Sequence, residues 1–376
     1  MSFNCSTPSS EPQLGSETNF LKHCDGTCGP GLSCLCGTCT KTCSTAKDCA
    51  DLAKGAECLG GPVGPSAPDS CSEAPSCELH CTAHADCKEL GKDFRCEAGS
   101  CRRGTPSCDK TLESGDFTRE LTLGGVRRSY LVHVPEARRV DSTTPLLIDF
   151  HPMSFDAPWE RSHSGFLELS DQEGFIAVWP QGLENSWDVG PCCSLSTEAD
   201  ASPQVNDLDF ATALIRQLST EACIDLERVY ATGFSLGGSV AYYLGCQHAE
   251  IFSALAVSGM DLFDAKEIGC DPALPVSVIS FRGTADTVIS YEGGAGTAPG
   301  HPEIVHDFQG ADGTFQTWAK LDDCSEAASA PDANGCSTFD TCADDSEVIL
   351  CTSEGAGQFQ GDAAQAWQML AKHKRD

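Results

Sequence analysis

The stretch Gly233-Phe234-Ser235-Leu236-Gly237-Gly238 constrains this chain more than any other. Before it, Arg228-Val229-Tyr230-Ala231-Thr232 is β-branched and aromatic, as a strand requires; after it, Ser239-Val240-Ala241-Tyr242-Tyr243-Leu244 reads as a helix. A serine between them in a Gly-x-Ser-x-Gly frame predicts a turn so sharp that its own backbone is strained. The flanking glycines then leave room for neighbouring chain. The hydroxyl would stand exposed above the sheet edge, over a helix N-terminus that stabilises negative charge. Ser235 is therefore the candidate nucleophile. The plainer alternative is a Gly/Ser loop that fits by accident, and the strand before and helix after argue against it.

Charge narrows the partners. Across 376 residues the formal net charge is -31, so a nucleic-acid backbone or an anionic membrane would be repelled and a neutral or small-molecule target is expected. The length suits one large domain and a small one. No run of 18 apolar residues occurs, so no transmembrane segment is expected. No charged segment followed by an apolar core opens the chain, so no signal peptide is read within this numbering.

The 25 cysteines speak for an oxidising, extracytoplasmic compartment (secreted, periplasmic or cell-surface), with a leader removed earlier. Fifteen lie between Cys5 and Cys101. Cys39, Cys43, Cys49 and Cys58 are separated by 3, 5 and 8 residues, and Cys77, Cys81, Cys87 and Cys96 repeat those gaps. Asp48/Asp86, Leu52/Leu90 and Lys54/Lys92 keep the same register, so residues 24–103 are expected to form a disulfide module with an internal repeat (39–58 and 77–96). Apolar residues are sparse here, and covalent staples must replace a hydrophobic core. Zinc competes, because Cys36-Gly37-Thr38-Cys39 has ligand spacing and His80 and His84 are near, but it explains only a few of the thiols. Cys5 heads a polar stretch and leaves the group odd, so residues 1–23 read as a flexible tether and Cys5 as a lipid-anchor candidate, although Met1-Ser2-Phe3-Asn4 is no lipoprotein cleavage signal.

From the linker Gly104-Thr105-Pro106-Ser107 onward, strand and helix signals alternate. That predicts an α/β domain over 104–376, a doubly wound, mostly parallel sheet with helices on both faces, preceded by the small disulfide-rich module. Strands are expected over 129–134, 145–150, 175–179, 229–234, 255–258, 276–281 and 347–352. Helices are expected over 160–172, 208–220, 236–246, 313–321 and 363–373. Trp367 shares a helical face with Ala364, Leu370 and Ala371 and reads as core rather than ligand contact.

At this point a resemblance is specific. Residues from about Cys108 onward resemble the secreted polyhydroxybutyrate depolymerase / feruloyl esterase branch of the α/β-hydrolases. The carrying segments are Arg128 to Pro135, Glu173 to Gly182, Ser186-Trp187 with Cys192-Cys193, Arg228 to Gly238, and Phe281-Arg282-Gly283-Thr284-Ala285-Asp286. The cysteine-rich region lies outside it. The resemblance implies hydrolysis of carboxylic esters through an acyl-serine, with a Ser, Asp, His triad in that chain order. Its substrates would be short-chain polyesters or plant cell-wall esters, polymeric ones included; no cofactor and no metal are expected.

Ser235 takes the nucleophile position and Asp286 the acid that orients the base; the plain reading of Asp286 is a turn aspartate. The family histidine follows a glycine-containing turn after the last strand, where this chain reads Glu354-Gly355-Ala356-Gly357-Gln358. Gln358 has no proton affinity near neutral pH and cannot deprotonate Ser235. Three accounts stay open: an inactivated relative acting as a binding or structural protein, a histidine replaced in this version of the chain, or a substitute base. After Asp286 only His301, His306 and His373 remain; His306 is the candidate substitute, and His373 in the basic tail reads as solvated. The first oxyanion donor should come from His151-Pro152-Met153-Ser154-Phe155. Pro152 has no N–H, so Met153 and Leu236 are the candidates, Phe155 is placed to narrow the pocket, and His151 reads as structural.

The ten cysteines from Cys108 to Cys351 allow five bridges. Adjacent Cys192 and Cys193 need separate partners, for which Cys108 and Cys223 are candidates, with Cys246–Cys270 and the four from Cys324 to Cys351 making the rest. The chain is expected to act as a monomer. Intact mass with and without reduction, after alkylation, should show almost every cysteine blocked before reduction; many free thiols would refute the oxidising compartment.

Overall fold

In the computed structural model the described residues are 32–35, 38–49, 52, 56–59, 76–79, 94–97, 100–103 and 112–375, without 139–142, 189–206, 264–268 and 299–300. The tether, the linker, and Cys5, Cys36, His80, His84, Cys108, Cys192 and Cys193 lie outside them. The chain divides into two compact units, Met1–Ser107 and Cys108–Asp376.

The first unit is built from short antiparallel pairs: β1 (Ser33–Leu35) with β2 (Thr38–Thr40), β3 (Ala56–Leu59) with β4 (Ser76–Leu79), and β5 (Phe94–Glu97) with β6 (Ser100–Arg103). Each sets two cysteines opposite each other: Cys34 and Cys39, Cys58 and Cys77, Cys96 and Cys101. Between described residues, Cys43–Cys58 and Cys49–Cys77 are bridged, so the second links the two sequence repeats instead of closing one of them; Cys39 and Cys101 are also disulfide-bonded. Cys49, Leu52, Ala56, Cys77, Leu79 and Cys101 are the small core, half of it cysteine, as expected where apolar residues are scarce. The sulfurs of Cys43, Cys49 and Cys77 converge, but all are held in disulfides and offer no thiolate; Cys39 of the zinc-spaced pair is also disulfide-bonded.

The second unit is a nine-stranded sheet. Its strands are β7 (Gly115–Leu123), β8 (Val126–Val134), β9 (Thr144–Phe150), β10 (Ile176–Pro180), β11 (Ile224–Phe234), β12 (Ala254–Ser258), β13 (Ser277–Gly283), β16 (Cys336–Phe339) and β17 (Val348–Ser353), in the order β16-β17-β13-β12-β11-β9-β10-β8-β7. The six strands from β17 to β10 are parallel; β8 with β7 at one edge and β16 at the other are antiparallel. Central strands covered on both faces need continuous apolar runs, and β10, β12 and β13 are buried throughout. A separate hairpin joins β14 (Gly294–Ala298) to β15 (His301–Phe308).

Helices α1 (Ala157–His163), α2 (Phe166–Glu173) and α6 (Ala363–Leu370) pack into one core layer. Helices α3 (Asp207–Glu221), α4 (Leu236–Gln247) and α5 (Gly310–Leu321) pack into the other. The single helix expected over 160–172 is two, broken at Gly165, whose φ of 79° is left-handed. Trp367 is buried and stacks on Phe175 at 4.0 Å, a core residue as its spacing indicated. Among the strands the sequence reading lacked, β7 alternates half-buried and exposed positions at the sheet edge, and β16 is four residues long.

Cys246–Cys270, Cys324–Cys342 and Cys336–Cys351 are bridged, and Cys223 is disulfide-bonded. Closing a loop of the size spanned by Cys246 and Cys270 is worth about 3 kcal/mol through the unfolded state. The double variant Cys246→Ala/Cys270→Ala should lose stability of that order in urea unfolding, with little change in slope.

Candidate active site

Ser235 sits between β11 and α4 with φ 52° and ψ -121°, outside the ordinary region for a residue with a side chain. The turn is possible because its neighbours are bare. A Cβ on Gly237 would run into the Phe150 carbonyl, and one on Gly233 into the backbone of Gly237. The serine amide donates to Ser258 O at 2.9 Å, tying the turn to the end of β12. Gly238 N and Ser239 N close the first helical bonds on Ser235 O (2.8 and 3.3 Å), so the amides of Leu236 and Gly237 precede the intrahelical ladder.

The loop after β9 faces this turn. Ser154 N donates to Asn185 O (2.8 Å) and Phe155 N to Pro152 O (3.2 Å), which leaves Met153 as the loop amide not committed to a carbonyl. His151 holds the loop in place. Its Nε2 accepts from Gly182 N at 3.0 Å, so Nδ1 carries the proton and donates to Pro152 O at 2.9 Å. Trp187 Nε1 donates to His151 O at 2.7 Å, and the two rings pack 4.6 Å apart. Burial lowers the His151 pKa to about 4. Neutral, with both ring nitrogens bonded, it is structural, as its place at the strand end suggested.

Asp286 follows β13 and is 6% exposed. Its Oδ1 accepts from Val288 N and Ile289 N (2.8 and 3.0 Å), while its buried Oδ2 has no partner. The acid loop is laced to the turn after β17: Thr284 N donates to Ser353 O (3.1 Å), Ala285 N to Ala356 O (2.8 Å), and Gly355 N to Thr284 Oγ1 (2.8 Å). Gln358 leaves that turn and donates its Nε2 to Gly259 O at 2.9 Å, one residue beyond the carbonyl that holds Ser235. Gly361 N donates to Ser258 Oγ at 2.9 Å. Elbow, acid loop and Gln358 turn are thus joined at the C-terminal ends of β11, β12, β13 and β17.

The other histidines are placed differently. The backbone sets His306 within β15, opposite Gly296 in the hairpin; its side chain and that of His301 lie outside the described residues. His373 is not solvated: its Nε2 bonds Glu347 Oε1 at 3.0 Å and its carbonyl accepts from Tyr230 OH at 2.9 Å. Those contacts need the folded bottom of the sheet, which a tail-end position in sequence does not reveal.

The sequence reading also missed a buried acid pair. Trp179 Nε1 donates to Asp149 Oδ2 at 2.9 Å, and Gln360 Nε2 donates to Glu160 Oε1 at 3.0 Å. The two acids also bond each other, with Ser164 beside Asp149, so a proton is held between them. Burial pushes Asp149 up to about 7, and burial with the neighbouring acid pushes Glu160 well above the carboxylate range. Through Gln360 the pair anchors the segment that carries Gln358. The available signal was an acid inside the apolar run Leu146-Leu147-Ile148-Asp149-Phe150.

A parallel sheet with antiparallel edges and a serine on a strained strand-to-helix turn define the α/β-hydrolase fold. The chain is similar in sequence to feruloyl esterases and other esterases. Feruloyl esterase B of Piromyces equi is 35% identical over 252 residues, 65% of this chain and 45% of that protein. The putative esterase NocK of Nocardia uniformis subsp. tsuyamanensis is 32% identical over 184 residues, 48% of this chain and 51% of its own. The chain therefore spans about half the length of these curated relatives. No family model matches it. Among solved structures, an acetyl xylan esterase from Aspergillus awamori covers 68% of this chain and 99% of its own at 16% identity, with a TM-score of 0.49.

The raised acids set a pH dependence. The folded state holds protons that the unfolded chain releases near the ordinary carboxylate value of 3.8, so their stabilisation is full below that pH and is lost as pH rises through about 7. Replacing Asp149→Asn should therefore shrink the fall in Tm between about pH 5 and pH 8, measured by thermal denaturation of parent and variant side by side.

Proposed function

We propose that the unit Cys108–Asp376 is a serine carboxylic-ester hydrolase. The observation that carries the reading is Ser235 at φ 52°, lifted on the turn into α4 beside the uncommitted Leu236 amide. In this reading Ser235 Oγ attacks the ester carbonyl and the tetrahedral oxyanion rests on the amides of Met153 and Leu236. The alcohol leaves, and water releases the acid from the acyl-serine. Asp286 is the acid behind position 358, where a histidine would pass protons and Gln358 stands. No cofactor or metal enters this chemistry.

The rim supports an apolar or aromatic ester. Of the five exposed large hydrophobic residues among the described ones, Phe155 (42% exposed) follows the Met153 loop and Leu183 (45%) lies on the turn bonded to that loop through Asn185. A third, Val288 (47%), is two residues beyond Asp286. Phe155 stands on Trp159 at 4.3 Å, which fixes its ring. Relatives named as feruloyl and acetylxylan esterases make plant-wall esters the first substrates to try, polymeric ones included, with short polyesters next. The disulfides support an extracytoplasmic protein; in this reading it is a monomer, a lipid on Cys5 tethers it, and the cysteine-rich unit directs it to a polymer.

A second reading, a hydrolase fold kept for binding with catalysis impaired, is favoured by Gln358 alone, since an amide cannot serve as the base. Hydrolysis of p-nitrophenyl acetate and butyrate separates the two. Turnover should vanish in Ser235→Ala, and Gln358→His should raise it by about 10²–10⁴-fold, the usual worth of a positioned base. Parent turnover untouched by Ser235→Ala would sink the reading. Phe155→Ala should raise KM for feruloyl esters by a few-fold while leaving acetate esters nearly unchanged.

A further inference from the structure

We propose that Ser235 is an acyl acceptor that retains its acyl group: esters and thioesters whose leaving group departs as a stable anion acylate it in a single turnover, and deacylation is the slow step. The inference rests on the reading of Ser235 as nucleophile.

The geometry separates what the two half-reactions need. For acylation, the strained turn presents the hydroxyl, and the amides of Met153 and Leu236 are the donors left for the oxyanion. The start of α4 adds its positive end at the same place. All of these belong to the backbone and none needs a histidine at 358. When the leaving group is a phenolate, enolate or thiolate, its departure needs no acid. The Ser235 Oγ–carbonyl bond forms, the bond to the leaving oxygen or sulfur breaks, and that atom keeps the electron pair. The serine proton passes to water.

Deacylation reverses these demands. The nucleophile is now a water that a base must hold and deprotonate, and the leaving group is the serine alkoxide, which must be protonated as it departs. The same histidine serves both roles in a complete triad. Here position 358 is an amide whose Nε2–H is committed to Gly259 O. Asp286 cannot pass a proton through it: Oδ1 is held by two backbone amides, and Oδ2 is buried without any donor. His151, in the oxyanion loop, is locked between Gly182 N and Pro152 O. Among the described residues, the groups around Ser235 thus stabilise the oxyanion of either step but manage protons in neither; acylation by a good leaving group needs only the loss of the serine proton, whereas deacylation needs both an activated water and a proton for the departing serine.

The test uses the full chain with p-nitrophenyl butyrate in rapid-mixing kinetics, paired with intact mass after acid quench. The expected result is a burst of about one equivalent of nitrophenolate, a much slower steady state, and a single butyryl adduct that is absent in Ser235→Ala. Gln358→His should shorten the life of the adduct by about 100-fold or more, the lower end of what a positioned base contributes. Ser235-dependent turnover with no burst and no adduct would overturn the retention while leaving the esterase reading standing. Absence of both turnover and adduct, with no labelling of Ser235 by a fluorophosphonate, would overturn the nucleophile reading beneath it.

Discussion

The structure depends on one close approach: the backbone of Gly237, in the first turn of α4, lies against the carbonyl of Phe150 at the end of β9. No side chain fits between them. That contact brings the helix N-terminus to the end of the central parallel strands and leaves Ser235 in a conformation that a free chain would avoid. The strain is held by bonds from the next strands. Ser235 N reaches Ser258 O, Gly259 N reaches Phe281 O, and Gln358 reaches Gly259 O, so the elbow is braced in sequence by β12, β13 and the segment after β17.

Buried charge secures the loops that meet there. Arg282, 1% exposed, pairs with Asp261 and donates to Ile289 O and Ser290 O (2.8 and 3.2 Å), pinning the loop that carries Asp286. Asp261 also accepts from Gly310 N at the start of α5. Near the other side of the site Arg128 meets Asp207 at 2.5 Å, and Asp207 accepts from Asp188 N beside Trp187, which holds His151 O. Such pairs are costly to desolvate and add little net stability. Their effect here is positional, because each also bonds backbone groups at the root of a loop leading to Ser235.

Gln358 is consistent with this scaffold and at odds with the chemistry that the scaffold supports. Its side chain packs on Gly259, where a Cβ would collide with it, and its amide completes the bracing of the elbow. In the proposed chemistry oxyanion stabilisation comes from backbone amides, which such a residue leaves in place. Proton transfer belongs to a side chain and does not survive it.

Much of the hydrolase unit was legible in the residues. The central strands are continuous apolar runs, and Gly233, Ser235 and Gly237 announce their turn because only bare neighbours permit it. Other features were hidden by their dependence on distant partners. The helix expected over 160–172 is broken at Gly165, β7 shows too little burial for its alternation to stand out, and His373 looked solvated until Glu347 was folded beside it. In the first unit the spacing of cysteines predicted a repeat, but only the paired strands put Cys49 within reach of Cys77 across it. By itself, then, the sequence determined the fold of the larger unit, the serine turn and the absence of a histidine at 358, since these follow from local sterics and residue identity. Only the tertiary structure decided that Asp286 keeps an unpartnered oxygen, that His151 is locked neutral, and that Asp149 and Glu160 share a buried site behind Gln360. Those properties arise from burial and from partners brought together across the sheet, and no local pattern encodes them.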